Sequence, residues 1–284
     1  MAASMTVPAV RARKGGVPLV MVTAYDAPTA RMVDNGGADI ILVGDSVAMV
    51  VLGYDDTLQL TIDDMAHHVA AVARSRPNAL IVGDLPWMSY HVSAEDTVRN
   101  AAALVRAGAQ AVKLEGGRKR VPMVEALVDA EIPVMGHIGL TPQSLHVMGG
   151  FKVQGRTAEA ARALVDEAKS LANAGCFAIV LEGVPDAVAS LVTASVSVPT
   201  IGIGAGGGCD GQVLVVHDLL GLEDRIAPKF VRRYASLEAE GIRAVAAFAE
   251  DVRSGRFPTA DESYRLGDDV AEVLGLYSGT ALTA

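Results

Sequence analysis

The sequence predicts an α/β chain whose strands close into a (β/α)8 barrel, a TIM barrel, and three observations carry that expectation. Eight short β-branched runs recur along the 284 residues, they alternate with Ala-rich stretches that keep apolar residues at helical spacing, and they are apolar throughout rather than alternately polar. A strand covered on both faces by helices reads in that continuous way, whereas a strand with one wet face alternates. Closure into one layer uses all eight runs, which favours a barrel over an open sheet. Composition agrees: 51% of residues are apolar but only 4% aromatic, so the core must be aliphatic.

The expected strands, in order, are PLVMVTAY (18–25), ADIILVGD (38–45), ALIVGD (79–84), QAVKLE (110–115), PVMGHIG (133–139), FAIVLE (177–182), PTIGIG (199–204) and QVLVVH (212–217). Between them, Thr61-Ile-Asp-Asp64 and Ser93-Ala-Glu-Asp96 each pair a hydroxyl with an acid three residues on, the pattern of a helix start. Ala161, Leu164, Val165, Ala168, Leu171 and Ala172 mark one face of a further helix. The last unit is irregular, because only seven residues separate Gly204 from Gln212, fewer than a full crossover takes. Either that crossover is abbreviated or one strand is misassigned. Lys229–Val252 reads as a helix, and about 255–284 as a C-terminal extension for which packing on a neighbouring subunit is one role. With no linker or repeat in view, residues 1–284 are expected to form a single domain with that extension.

A net charge of -9 and a pI near 5.1 argue against nucleic acid or an anionic membrane as partner and for a small molecule. The two cysteines, Cys176 and Cys209, form no metal-type or CxxC cluster. No apolar signal segment and no long apolar span occurs, so a cytoplasmic location is expected.

In a (β/α)8 barrel the reacting groups come from the carboxyl ends of the strands. Here those ends are polar: Asp45 and Ser46 after the second run, Asp84 after the third, Lys113 and Glu115 in the fourth, His137 in the fifth and Glu182 closing the sixth. Any one acid could be a helix cap. Four carboxylates facing one mouth repel, and persist only with a cation or with protons. Mg2+ suits such a site, since it takes one or two carboxylates and keeps other oxygens around it. Asp45 and Asp84, on adjacent strands, are the expected ligand pair, with Glu115 contacting the ion through water. Lys113 could neutralise a substrate oxyanion or merely offset Glu115, and Glu182, across the mouth, is free to act as a base. Among the histidines, His137 stands out by position. Gly202-x-Gly204-x-x-Gly207, with Glu223 and Asp224 about 20 residues on, has the form of a dinucleotide fingerprint. It lies near the end of the chain and runs into another strand, so a backbone loop of close approach is the better reading.

The stretches TAYD (23–26), LVGDS (42–46), GDLPWMSY (83–90), VKLEGG (112–117), GHIGLTPQS (136–144), GGFKVQGR (149–156), IVLEGVP (179–185) and IGIGAGGGCDGQVLV (201–215) together resemble the ketopantoate hydroxymethyltransferases. That resemblance implies transfer of a one-carbon unit from 5,10-methylenetetrahydrofolate to 3-methyl-2-oxobutanoate, giving ketopantoate for pantothenate and coenzyme A through a Mg2+-stabilised enolate. By position it makes Asp45, Asp84 and Glu115 metal-associated, Asp45, Ser46, Asp84 and Lys113 ketoacid-binding, and Glu182 the proton acceptor; His137 is added to the ketoacid site by position. It also implies a homo-oligomer, a decamer by analogy. Two other readings stand beside it. A Mg2+-dependent lyase of the isocitrate lyase type would carry a Lys-Lys-Cys-Gly-His loop, which is absent here, and a barrel that only binds would not need four carboxylates and a lysine.

Overall fold

The computed structural model describes residues 4–222 and 228–276. Two compact units make up the chain, residues 1–235 and 236–284.

The first unit is a closed barrel of eight parallel strands in sequence order: β1 Leu19–Thr23, β2 Ile40–Val43, β3 Leu80–Asp84, β4 Ala111–Glu115, β5 Val134–Gly139, β6 Ala178–Glu182, β7 Thr200–Ile203 and β8 Gly211–Leu214. β8 returns to pair with β1 through Met21 opposite Val213. Every expected strand is present. The apolar runs divide by parity, as successive side chains must. One set, including Ile41, Val43, Ile81, Val112, Leu114, Ile179 and Leu181, packs outward with helix residues such as Val69, Leu104, Leu127 and Leu171. The other set, including Met21, Ile40, Leu42, Leu80, Val82, Ala111, Met135, Ala178 and Val180, fills the interior.

Along the inward set the character changes toward the carboxyl end. Leu80 and Val82 lead to Asp84, Ala111 to Lys113 and Glu115, Met135 to His137, and Ala178 and Val180 to Glu182. The lower barrel is therefore sealed by aliphatic side chains, and one layer at the mouth is ionisable.

Helices are held where the local chemistry indicates. Thr61 caps Ile62–Ala73 in a reciprocal box with Asp64, and Ser93 accepts from Asp96 N at the start of Ala94–Ala107. Leu164, Val165, Ala168 and Leu171 are the buried face of Ala158–Asn173.

The last crossover is abbreviated. Seven residues in extended form reach about 23 Å, ample to return along strands of four residues without a helix. Gly208 lets this loop lie on the helix Asp186–Ser195, since a Cβ there would meet Ser190 Oγ at 2.0 Å. The glycine run is thus the close-approach loop expected from its position in the chain.

In the second unit, a helix covers Leu237–Ser254 and a short one Asp268–Val273. The expected helix from Lys229 begins eight residues later. Its first residues serve the barrel instead: Phe230 lies against Gly204, where an added Cβ would come within 2.7 Å of the ring. Glu223, Asp224 and the tail from 277 fall outside the described residues. No helix among the described residues is long and apolar enough to cross a membrane.

Candidate active site

The barrel mouth opens into a cavity of about 990 Å³ whose lining includes Asp45, Ser46, Asp84, Lys113, Glu115, His137 and Glu182. All seven residues expected at the site meet in it. His67 and His68 stay in a helix away from it, where His68 Nδ1 lies 2.8 Å from Tyr25 O.

Register explains the assembly. Asp84 on β3 is level with Lys113 on β4, and Glu115 is level with His137 on β5. Lys113 Nζ lies 2.9 Å from Asp84 Oδ1 and 3.9 Å from Glu115 Oε1. His137 bridges two acids, with Nδ1 3.3 Å from Glu115 Oε1 and Nε2 3.2 Å from Glu182 Oε2. Asp45, just past the end of β2, donates its backbone N–H to Asp84 Oδ2 at 3.2 Å. Ser46 Oγ shares a 2.9 Å hydrogen bond with Tyr25 Oη.

Burial sharpens these charges. Asp84 is 1% exposed, Lys113 3%, Glu115 3% and His137 2%. Burial, then repulsion from Asp84 and Glu115, pushes the Asp45 carboxyl well above the usual range. Burial likewise raises Asp84, although Lys113 opposes it. Glu115 is also pushed up by burial, but His137 and Lys113 outweigh that and hold it below its ordinary value. Burial and Lys113 disfavour a proton on His137, yet contact with Glu115 and Glu182 raises it to about 9. Lys113 Nζ also lies 3.3 Å from His137 Nδ1.

Two basic groups, Lys113 and His137, thus face four carboxylates, Asp45, Asp84, Glu115 and Glu182. With all four ionised and both basic groups protonated, one divalent ion balances the set. Asp84 Oδ1 and Glu115 Oε1 are buried and lack hydrogen-bond geometry to any donor. Among the described residues no three His, Cys, Asp or Glu side chains form a closed metal cage. Mg2+ typically uses one or two carboxylates and keeps water or substrate oxygens, so hard oxygen donors such as Asp45 and Asp84 fit it.

Sequence reasoning missed the neutral groups. Gln143, 5% exposed in the 3-10 turn Pro142–Ser144 after β5, donates through Nε2 to Asp45 Oδ2 at 2.9 Å, and its backbone N–H reaches Glu115 Oε2 at 3.0 Å. Tyr90, fully buried, donates to Gln143 Oε1 at 2.5 Å. Both lie in stretches that carry the family resemblance, but an amide and a phenol do not stand out when ionisable groups are sought. The signal available was the polar run Thr141-Pro-Gln-Ser144 closing β5.

Beyond the charged layer the cavity becomes apolar. Tyr54, Phe151, Val153 and Phe230 line it, each partly exposed, with Lys152 and Lys229 beside them.

Known proteins with this fold include a putative phosphonomutase from Burkholderia cenocepacia, TM-score 0.61 at 16% identity, covering 87% of this chain and 99% of that one. Phosphonopyruvate hydrolase in complex with oxalate and Mg++ matches at TM-score 0.59 and 14% identity over 95% of each chain. At these identities the likeness establishes the barrel alone. Sequence relatives are much nearer. The 3-methyl-2-oxobutanoate hydroxymethyltransferase of Oleidesulfovibrio alaskensis is 55% identical over 94% of this chain and 92% of its own. That of Ignicoccus hospitalis is 58% identical over 86% of this chain and 93% of its own. The sequence profile of the family described as ketopantoate hydroxymethyltransferase matches residues 4–260, a span that takes in the whole barrel and every charged residue of its mouth. With that match and relatives above half identity over nearly full length, the chain belongs to the ketopantoate hydroxymethyltransferase family and is a hydroxymethyltransferase of the pantothenate pathway.

Proposed function

We propose that the chain transfers the one-carbon unit of 5,10-methylenetetrahydrofolate to 3-methyl-2-oxobutanoate, with Mg2+ as its metal ion and Glu182 as the base. The observation that carries this reading is the division of one cavity into two zones. The charged group at the strand ends is suited to a ketoacid; the rest of the lining is mostly apolar, with Lys152 and Lys229 and the acids Asp55 and Asp218 among it. A volume of about 990 Å³ is far more than a short-chain ketoacid fills, and lies at the upper end of pockets that take drug-sized ligands. A flat aromatic cosubstrate with an acidic tail, as a folate is, matches that remaining space in size and apolarity, with Lys152 and Lys229 the groups that would take the tail.

Asp45 and Asp84 would hold the ion, with Glu115 contacting it through water. Bound there, Mg2+ supplies Lewis acidity at the ketoacid's 2-oxo and carboxylate oxygens. Lys113 and Ser46 orient the ketoacid, Lys113 by its charge and Ser46 by a hydroxyl that Tyr25 fixes. His137 faces the Glu182 carboxylate, its Nε2 3.2 Å from Oε2, and joins the ketoacid site by position. Glu182 removes the single C3 proton; water hydrolyses the two C–N bonds of the folate methylene, releasing tetrahydrofolate and formaldehyde, and the enolate carbon adds to that carbonyl, whose oxygen takes the proton back from Glu182 to become the hydroxyl. A carboxylate is a weak base for a carbon acid, so the reading depends on the ion acidifying the substrate.

The test is exchange of the C3 proton into D2O with ketoacid and Mg2+ but no folate. Glu182→Gln should abolish exchange, a loss of about 10²–10⁴-fold, while ketoacid binding persists. Wild-type exchange in that variant overturns the assignment. Formation of ketopantoate only when methylenetetrahydrofolate and a divalent ion are both present tests the donor and the metal.

The cytoplasmic expectation still rests on the sequence. An assembly of several copies is favoured by the helix Leu237–Ser254, where Ile242, Val245 and Phe248 are each more than half exposed. Such a stripe on a surface marks a contact face. Val245→Glu with Phe248→Glu should lower the sedimentation coefficient; an unchanged value removes that helix from the assembly.

A further inference from the structure

We infer that Gln143 is a positioning residue for the metal site, fixing which oxygen of Asp45 is presented to the ion. This rests on the reading of Asp45 as a metal-holding carboxylate, and it adds a residue that none of the ionisable groups could stand in for.

The orientation of the Gln143 amide follows from its partners. Tyr90 Oη accepts the Glu115 backbone N–H at 3.2 Å, so its one proton is free to be donated onward, to Gln143 Oε1 at 2.5 Å. That identifies Oε1 as the acceptor and leaves both Nε2 protons for the other side. They go to Asp45 Oδ2 at 2.9 Å and to the Leu85 carbonyl at 3.0 Å. The flipped amide would set Nε2 on the Tyr90 hydroxyl and Oε1 against a carboxylate and a carbonyl, two acceptors it could not satisfy. Only one orientation works.

The consequence for Asp45 is specific. Its side chain lies among acids, and its backbone N–H is donated to Asp84 Oδ2 at 3.2 Å. A buried N–H donor on Oδ2 holds the carboxylate plane and occupies that oxygen, so that Oδ1 is the oxygen this proposal gives to the ion. The Gln143 backbone N–H meanwhile holds Glu115 Oε2, leaving Oε1 without a hydrogen-bonding donor. One residue thus engages one oxygen of each of two acids, Oδ2 of Asp45 and Oε2 of Glu115, while Glu115 Oε1 faces His137 Nδ1 at 3.3 Å. Groups of this kind behind a metal ligand orient it and tune its basicity.

The amide is also well anchored. Tyr90 is fully buried, its ring centroid lies 4.2 Å from that of His91, and the Arg120 guanidinium sits 5.4 Å above it. The hydroxyl that sets the amide cannot swing away.

The test uses Mn2+ as the probe, its binding to the substrate-free full chain read by electron paramagnetic resonance. Three variants are compared: Gln143→Met, near in volume but without a donor, Tyr90→Phe, and Asp45→Ala. Gln143→Met should weaken Mn2+ by about 10–100-fold, with Tyr90→Phe weakened less and in the same direction. In turnover, Gln143→Met should need more Mg2+ yet regain most of its kcat once the ion saturates. A purely structural role predicts instead a lower kcat at every ion concentration. Circular dichroism and Tm confirm that each variant is folded, and Gln143→Asn, an amide too short to reach, repeats the measurement should the Met variant fail to fold. Undiminished Mn2+ affinity in both Gln143 variants, with Asp45→Ala impaired, overturns the positioning role and leaves the metal reading standing. Undiminished affinity in Asp45→Ala overturns the metal reading itself.

Discussion

Asp210 and Asp45 are both buried aspartates of the same barrel, one at the amino end of its strands and one at the carboxyl end, and they are served in opposite ways. Asp210 precedes β8 and has a partner on every side: Gly15 N at 2.8 Å on Oδ1, and Lys14 Nζ at 2.9 Å and Thr200 N at 2.8 Å on Oδ2. Burial pushes its carboxyl up, but these donors outweigh burial and hold it below the ordinary value. Asp45 receives Gln143 Nε2 and otherwise faces acids, and its carboxyl is pushed well above that value. The same side chain closes the barrel in one place and is left incomplete in the other. Completion of Asp210 makes the seven-residue crossover workable, because one carboxylate ties the start of β7 to the loop ahead of β1. Incompleteness of Asp45 is what a site for a cation and an anionic substrate requires, at a cost in stability that proteins commonly accept at functional positions.

The largest effect should come from removing the cation that partly offsets the mouth. Lys113→Met leaves Asp84 buried without the positive charge 2.9 Å from it and takes a second one from Glu115, which keeps only His137 beside it. Breaking a buried pair from one side typically costs about 3–5 kcal/mol. In urea titrations without divalent ion the variant should lose that much, and added Mg2+ should return part of it; equal stability with and without Lys113 would mean that the carboxylates are protonated rather than paired.

The contrast between the two ends can be broken by one type of substitution made twice. Asp210→Asn removes a charge that four donors serve, so it should lower stability by about 3 kcal/mol with little effect on turnover. Asp45→Asn removes a charge that its neighbours repel, so stability should hold or rise by about 1 kcal/mol while ion binding and turnover collapse. Losses of equal size at both sites would show that the mouth is as well satisfied as the base.

Much of the barrel is legible in the chain. The strands are, because a continuous apolar run that ends in an acid fits little besides a strand covered on both faces, and the ionisable mouth follows from inward parity: Ala111, Lys113 and Glu115 share one face of β4. Gln143 and Tyr90 are not, because their importance lies in hydrogen bonds made across four strands, which no local pattern encodes. Phe230 reads as helical, since its local sequence fits a helix and only the tertiary contact with Gly204 accounts for its placement. Asp210 is hidden in the same way. It reads as part of a glycine loop, and its donors come from residues up to 196 positions away.

The smallest expected effect is also the most discriminating for Asp210. Because its carboxyl is held below the ordinary 3.8 in the folded chain, the unfolded chain binds its proton first as pH falls. Between the two values the unfolded state therefore carries more protons, and stability rises with pH across that window. The contribution is fully present above 3.8 and is lost as pH drops through the lower folded value. Many other carboxylates titrate in the same range, so the measurement is a difference: stability of the wild type minus that of Asp210→Asn, by urea titration from neutral pH downward. The difference should be constant above the window and shrink within it. Lys14→Met should shift the point of shrinkage upward without abolishing it, since the backbone N–H groups of Gly15 and Thr200 remain. A difference that stays flat to the lowest pH at which the chain folds would mean that Asp210 binds no proton more weakly folded than unfolded, and that its donors fix geometry rather than charge.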